Sequence, residues 1–204
     1  RPPRSTLFPY TTLFRSCAFG KEINQADIVK AIAQFERTLI SANSKYDKYI
    51  RKESGGTLDS EELKGLQLAE KFCFSCHSTP LLIDNLYHNN GIDNDFTDDT
   101  ELMIKKGRFR VTDNIQDLGK FKTPTLRNIE KTAPYMHDGR FATLEKVLDH
   151  YSNGVLASAT LDPILNQNGK LGIPISETDK KQLIAFLKTL TDYEYLTDKR
   201  FSEN

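Results

Sequence analysis

The sequence is poor in several residue types and lacks one entirely. Its 204 residues include no tryptophan, two methionines and three cysteines, and its 28 basic and 28 acidic side chains cancel to a net charge of zero. A neutral chain argues against a nucleic-acid partner and against a polybasic contact with a membrane. The sequence contains no run of about 18 apolar residues, so we expect no membrane-spanning helix.

The most specific stretch is residues 72–78, where two cysteines three positions apart are followed at once by a histidine. This is the C-x-x-C-H pattern of covalent c-type haem attachment. Cys73 and Cys76 can each add to one vinyl group, and His77 on the same turn can bind the iron. A zinc ribbon needs two further ligands, and Cys17 is the only other cysteine. A C-x-x-C redox pair would need a βαβ setting that is not seen. We predict one haem c, which also compensates for a hydrophobic content of only 38%.

The first sixteen residues are set apart from the rest of the chain. Residues 7–16 resemble, without a gap, the translated read of a common sequencing-library adapter, so residues 1–16 are excluded from the fold. We expect the natural gene to begin further upstream, and the signal peptide of an exported protein to be missing here for that reason. Cys17 lies at the junction and is given no role.

Helical patterns dominate the remaining sequence. Apolar residues at helical spacing predict a helix over residues 24–40, and Asp59 opens a second helix that runs to residue 72 with its apolar stripe facing the haem pocket. Thr143 caps a helix over residues 144–153, and Ser176 begins the last one. The polar residues 41–56 indicate a linker or an exposed turn. Strand signals are sparse, so we predict an all-α, loop-rich fold.

Two loop segments carry weaker signals. Pro124 is expected to open a helical turn capped by Thr123, and residues 101–106 are expected to form a short helix ended by Gly107. The acidic residues 93–101 fail the EF-hand pattern, because the sixth position is not glycine and the twelfth is an isoleucine. We interpret them as a solvated acidic loop.

Six short stretches carry a family pattern. They are residues 33–45, 73–77, 89–91, 122–128, 133–139 and 186–191. C-x-x-C-H alone indicates only a c-type cytochrome, but followed by KTPTLRN and APYMHDG at this spacing it is specific. Together the stretches, which extend over most of residues 18–204, resemble the bacterial di-haem cytochrome c peroxidases of the MauG/CcpA superfamily.

The resemblance implies two cytochrome c-like domains with one haem each, an N-terminal peroxidatic haem and a C-terminal haem that takes in electrons. Since this sequence has one C-x-x-C-H, residues 59–204 are expected to be the C-terminal haem domain and residues 17–58 a remnant of the preceding domain and linker. The peroxidatic haem would then be missing. We expect the fragment alone to be inactive and assign it no catalytic residue.

The sixth iron ligand is the main open question. Relatives place a methionine, or in the MauG branch a tyrosine, in the helix after the HDG loop, and that position aligns with Tyr151. Thioether ligands raise the potential, whereas a phenolate favours ferric iron and lowers it. A core tyrosine with a hydrogen-bonded hydroxyl is the alternative. His150, Met136 and His137 also stay open as ligands, although the last two match the HDG loop itself.

Further residues receive roles from their chemistry or from the resemblance. Arg127 and Arg140 are expected either to pair with haem propionates or to form surface salt bridges. By resemblance, Thr132 and Pro134 offer backbone carbonyls to a calcium ion between the two domains. His88 is interpreted as a loop or surface histidine rather than an iron ligand.

The sequence therefore predicts the electron-transferring haem c domain of an exported, periplasmic di-haem peroxidase. The intact enzyme would reduce H2O2 to water with electrons from a small cytochrome c or cupredoxin, and by analogy it would form a homodimer. A MauG-like haem oxidase acting on a protein or small-molecule substrate is one alternative. A stand-alone mono-haem electron carrier is the other.

Overall fold

The computed structural model of the chain describes residues 20, 24–78, 80–97 and 104–201. The adapter-like segment and Cys17 lie outside these residues. The chain divides into two compact units, residues 1–40 and residues 41–204. The first unit contains helix α1 (Gln25–Glu36), whose predicted N-cap Asn24 is confirmed by its hydrogen bond from the Asp27 amide. The helix ends before the predicted residue 40, because the Thr38 hydroxyl donates to the Phe35 carbonyl and competes with the helical hydrogen bonds.

The second unit is built from helices, short turns and two very small strand pairs. Its helices are α2 (Lys45–Arg51), α3 (Ser60–Phe72), α4 (Phe109–Thr112), α5 (Leu144–Asp149), α6 (Glu177–Lys188) and α7 (Tyr193–Leu196). Strands β1 (Tyr87–His88) and β2 (Phe121–Lys122) pair antiparallel, as do β3 (Asn166–Gln167) and β4 (Lys170–Leu171). The predicted helix-dominated, loop-rich fold is confirmed. None of the helices in the described part of the chain is long and apolar enough to cross a membrane.

The core forms where α3 crosses α6. A Cβ placed on Gly65 would lie 2.0 Å from the Gln182 carbonyl oxygen, so only glycine allows the two helix backbones to approach this closely. Phe186 of α6 is completely buried beside the crossing, and the Tyr46 ring meets it edge-on with centroids 5.2 Å apart. Both helices begin with the capping boxes expected from the sequence, at Asp59 and at Ser176.

Helix α2 corrects the prediction that residues 41–56 form a linker or exposed turn. Ser44 caps this helix and shares a capping box with Asp47, while the Tyr46 side chain is buried in the core. The Ser-x-x-Asp signal was therefore present in the sequence, but the surrounding polar residues hid it. The chain then folds back over α2, since a Cβ on Gly56 would lie 2.3 Å from the Lys48 backbone.

The segment after β2 also differs from expectation. The Thr123 amide donates to the Leu86 carbonyl at 3.0 Å and so prolongs the β1–β2 pairing. Pro124 therefore opens no helical turn, and the next turn is a 3-10 turn at Ile129–Lys131. Of the predicted helix over residues 101–106, the described part, Ile104–Lys106, is also a 3-10 turn.

Candidate haem site

The C-x-x-C-H motif folds as a tight continuation of α3. Cys73 is the C-cap residue of that helix, and its carbonyl accepts hydrogen bonds from the amides of Cys76 at 3.1 Å and of His77 at 2.9 Å. This turn holds both thiols and the imidazole on one short piece of backbone. All three residues are half-buried, and both cysteines are free.

Burial makes both thiols reluctant to ionise. It raises the pKa of Cys73 to about 12. It also raises the pKa of Cys76, where the Ser75 hydroxyl opposes the shift and the nearby carboxylates of Asp162 and Asp84 add to it. The reactive cysteine of a C-x-x-C redox pair has a lowered pKa, so the raised values here disfavour a redox pair.

The His77 ring is prepared for metal binding. Burial lowers its pKa, despite opposing hydrogen bonds from the ring to the backbone carbonyls of Leu82 and Pro124, so the neutral imidazole is favoured. Its Nδ1 lies 3.3 Å from the Leu82 carbonyl oxygen. A ring that donates its Nδ1 proton to a carbonyl keeps the Nε2 lone pair for a metal, and its orientation is fixed.

Tyr151 lies at the same site as the thiols. Burial raises the pKa of its phenol; a hydrogen bond with the Asn90 side chain opposes this shift, and the Cys73 and Cys76 groups raise the pKa further. Helix α5 is followed by a π-helical turn at His150–Gly154, a distortion common at functional sites, which contains Tyr151. The Tyr151 phenol thus lies within electrostatic range of the two thiols, which are on the turn that also carries His77.

A glycine on a distant loop holds the Tyr151 backbone in place. The Ile173 amide donates to the Tyr151 carbonyl at 2.8 Å. Gly172 has a φ of +82°, and a Cβ there would lie 2.7 Å from the same carbonyl oxygen. The close contact therefore requires glycine twice over, for its backbone conformation and for its lack of a side chain.

Asn90 connects Tyr151 with two of the competing ligand candidates. Its carbonyl oxygen lies 3.0 Å from His150 Nε2, and its side-chain amide donates to Met136 Sδ at 3.4 Å. His137 instead stacks on Phe121, with ring centroids 4.0 Å apart. Sequence reasoning used residues 89–91 only for the family pattern and missed this role of Asn90.

The two arginines are engaged by protein groups to different degrees. The Arg127 guanidinium binds both oxygens of Asp47 at 2.8 Å and the Pro80 carbonyl at 2.7 Å, in a pair that is largely buried rather than on the surface. Its buried Nε has no hydrogen-bond partner within the described ranges, so it fits a haem propionate. The guanidinium of Arg140 donates to Asp138, Asp93 and the Ile92 carbonyl. Its contact with a haem propionate stays a prediction.

Asp93 departs from the interpretation of residues 93–101 as a solvated acidic loop, whereas Asp95 is exposed as that interpretation requires. Its carboxylate accepts from Arg140 and is only 13% exposed. Residues 98–101 of that stretch lie outside the described residues. The residues predicted to bind calcium, Thr132 and Pro134, are exposed, and this calcium site stays a prediction.

His88 is neither a free surface histidine nor an open metal ligand. Its Nδ1 lies 2.5 Å from an Asp162 oxygen and its Nε2 lies 2.7 Å from an Asp84 oxygen. Burial opposes protonation, but the two carboxylates outweigh it and raise the pKa of His88. With Cys76 and Asp162 it forms a group of potential ligand atoms within 4.8 Å of one another. The ion pairs therefore hold β1 to Asp84 and to the later loop that contains Asp162, beside the Cys76 side chain.

Comparisons with known proteins identify the family of the chain. A family model described as di-haem cytochrome c peroxidase matches residues 6–55. The cytochrome c551 peroxidase of Nitrosomonas europaea is 34% identical over 89% of this chain and 49% of its own length. The methylamine utilization protein MauG of Methylorubrum extorquens is 34% identical over the same shares, 89% and 49%. The chain thus spans about half the length of the curated relatives it matches.

Solved structures share the fold. A MauG-like protein associated with microbial copper homeostasis superposes with a TM-score of 0.74 and 35% identity, over 89% of this chain and 61% of that one. The diheme peroxidase BthA from Burkholderia thailandensis superposes with a TM-score of 0.54 over 76% of this chain and 47% of its own. At 22% identity, the second comparison supports the fold alone.

Proposed function

Because the chain belongs to the di-haem cytochrome c peroxidase/MauG family, we propose that it provides the electron-transferring haem c domain of a di-haem peroxidase. The observation that supports the proposal is the C-x-x-C-H turn at the end of α3, with the Tyr151 phenol in electrostatic range of its two thiols. Membership of this family implies haem c as the cofactor. The peroxidase relatives support an oxidoreductase as the parent protein.

Each residue of the site has a defined task in this proposal. Cys73 and Cys76 would hold the haem through thioether bonds, His77 and Tyr151 would bind its iron, and the free Arg127 Nε would meet a propionate. The bound haem supplies a centre that gains and loses one electron. The Leu82 carbonyl keeps the proton on Nδ1 of His77, and burial favours the neutral imidazole.

The intact enzyme would couple this domain to a second haem in the part of the protein that the chain does not span. A small cytochrome c or cupredoxin would deliver electrons, and H2O2 would take up two electrons and two protons to give two waters. We assign the haem domain to residues 41–204 rather than to the expected residues 59–204, because α2 packs into its core through Tyr46. We place the protein in the periplasm and expect a homodimer. A calcium ion held partly by the carbonyls of Thr132 and Pro134 belongs to the same proposal. The fragment alone would not turn over peroxide.

The test is to produce the chain with a cytochrome maturation system and to examine Tyr151→Phe. We expect a mass gain of one haem in both proteins. Loss of the phenolate should change the visible spectrum and raise the midpoint potential, because an anionic ligand stabilises ferric iron. A colourless product without added mass would refute haem attachment.

Tyr135→Phe is the matched control, since Tyr135 is a buried tyrosine whose hydroxyl donates to the Ile129 carbonyl. This variant should leave the spectrum and the potential unchanged. If Tyr151→Phe also leaves both unchanged, Tyr151 is a core tyrosine and the iron has another sixth ligand.

A MauG-like oxidase acting on a protein or small-molecule substrate is the second candidate. The position of Tyr151 near the thiols favours it, whereas the 34% identity to MauG equals the identity to the peroxidase and favours neither. Consumption of H2O2 with reduced cytochrome c by the full-length protein would support the peroxidase. Absence of that activity despite two bound haems would support the oxidase, and a single haem in the full-length protein would support a stand-alone carrier.

A further inference from the structure

The two faces of the β1–β2 pair differ in their surroundings: one faces the protein interior and the other faces solvent. On the inner face, His88 is paired with Phe121; the His88 ring reaches the Cys76 side chain, and Phe121 stacks on His137. On the outer face, Tyr87 is paired with Lys122, and both are exposed. Neighbouring strand residues point to opposite faces. The exposed Tyr87 is therefore next in the chain to His88, whose ring lies beside the haem-attachment turn.

The segment around this outer face is strongly basic. Residues 104–122 contain six basic and two acidic residues, a net charge of +4 in a chain whose total is zero. The Arg108 guanidinium lies over the Tyr87 ring, 4.2 Å from its centroid, and also 3.2 Å from Asp117. The Lys122 ammonium donates to the neutral Asn85 side chain at 3.1 Å. Two cationic residues, Arg108 and Lys122, therefore lie beside the exposed aromatic ring.

An apolar side chain of the same basic segment is also exposed: Val111 on α4 is 89% exposed. We call the exposed side chains of Tyr87, Arg108, Arg110, Val111 and Lys122 the basic face. A small apolar centre with a charged rim is typical of the weak, transient interfaces through which redox proteins exchange electrons.

We propose that the basic face is the docking surface for the electron donor, and that this donor is a small redox protein with acidic residues around its own exposed cofactor. The proposal rests on the electron-transfer function above and gives that function an entry point and a partner charge. Charge complementarity accelerates encounter between the two proteins, and salt weakens it. In the complex the donor loses one electron and the haem c of this domain gains it.

The experiment measures reduction of the haem-loaded chain in a stopped-flow instrument with two probe donors, a reduced acidic cupredoxin and a reduced basic cytochrome c. We expect the acidic donor to react faster, with a rate constant that falls as ionic strength rises. The double variant Arg110→Glu/Lys122→Glu should lower that rate constant about tenfold or more. Lys170→Glu/Lys181→Glu changes the net charge equally at exposed positions outside the basic face and should lower it by less than about twofold.

Dithionite reduction separates the two hypotheses. If dithionite reduces the haem and the basic donor is the faster one, or both double variants slow the acidic donor equally, the docking proposal is wrong while the function stands. If dithionite reduces nothing, the proposed function itself fails. A concentration-dependent dimer in sedimentation that Arg110→Glu/Lys122→Glu abolishes would show that a second copy of the chain occupies the basic face, and would also overturn the proposal.

Discussion

The two iron ligands proposed for the haem site are positioned in very different ways. His77 follows directly from α3, and its ring is oriented by the Leu82 carbonyl only five residues later. Tyr151 depends on Asn90 and Gly172, which lie 61 residues before it and 21 residues after it. The His77 half of the site is thus encoded in a short stretch, whereas the Tyr151 half exists only when separate loops have come together.

The largest effect should come from breaking the helix crossing that supports the His77 half. Gly65→Val would place a branched side chain where even a Cβ lies 2.0 Å from the Gln182 carbonyl. We expect a loss of at least about 3 kcal/mol in the free energy of unfolding, measured by denaturant titration of the haem-loaded chain. Lys64→Val, at the exposed neighbouring position, controls for β-branching and should cost less than about 1 kcal/mol. Equal losses in both variants would contradict the close crossing.

A smaller and more selective effect is expected in the Tyr151 half. Gly172→Ala would combine an unfavourable φ with a clash against the Tyr151 carbonyl, and should cost about 2–4 kcal/mol and alter the haem spectrum. Gly169→Ala isolates the backbone contribution, because Gly169 has a φ of +80° and an added Cβ would meet no described atom within 4 Å. It should cost about 1–2 kcal/mol and leave the spectrum unchanged. A spectrum that responds equally to both variants would show that Gly172 does not position Tyr151.

The smallest effect concerns the ion pairs of His88, which tie Asp84, near the His77 half, to Asp162 on a later loop. The pKa of His88 is raised on folding, so this interaction stabilises the protein fully below the unfolded pKa of about 6.5 and is lost as pH rises through the higher folded value. His88→Gln should therefore lose about 1–3 kcal/mol of stability at pH 6 and progressively less above neutrality. The measurement is unfolding of both proteins from pH 6 to pH 9. A difference that grows with pH would contradict the assignment.

The same contrast explains what could be predicted from the sequence. The capping boxes at Asp59 and Ser176 and the C-x-x-C-H turn depend on neighbouring residues, and their structures were predictable. Helix α2 was missed although it carries the same kind of cap, because its burial depends on Phe186, far along the chain. The role of Asn90 could not be predicted, since nothing in residues 89–91 indicates which distant side chains they meet.

The buried pair between Asp47 and Arg127 has a practical consequence for where this protein can be cut. A product trimmed to begin at residue 59 would keep the Arg127 guanidinium but lose the Asp47 carboxylate. An uncompensated buried charge of this kind lowers the free energy of unfolding by about 3–5 kcal/mol. It would also uncover the Phe186 ring by removing Tyr46. Trimming at residue 41 retains both contacts and is the safer design for crystallisation or electrochemistry.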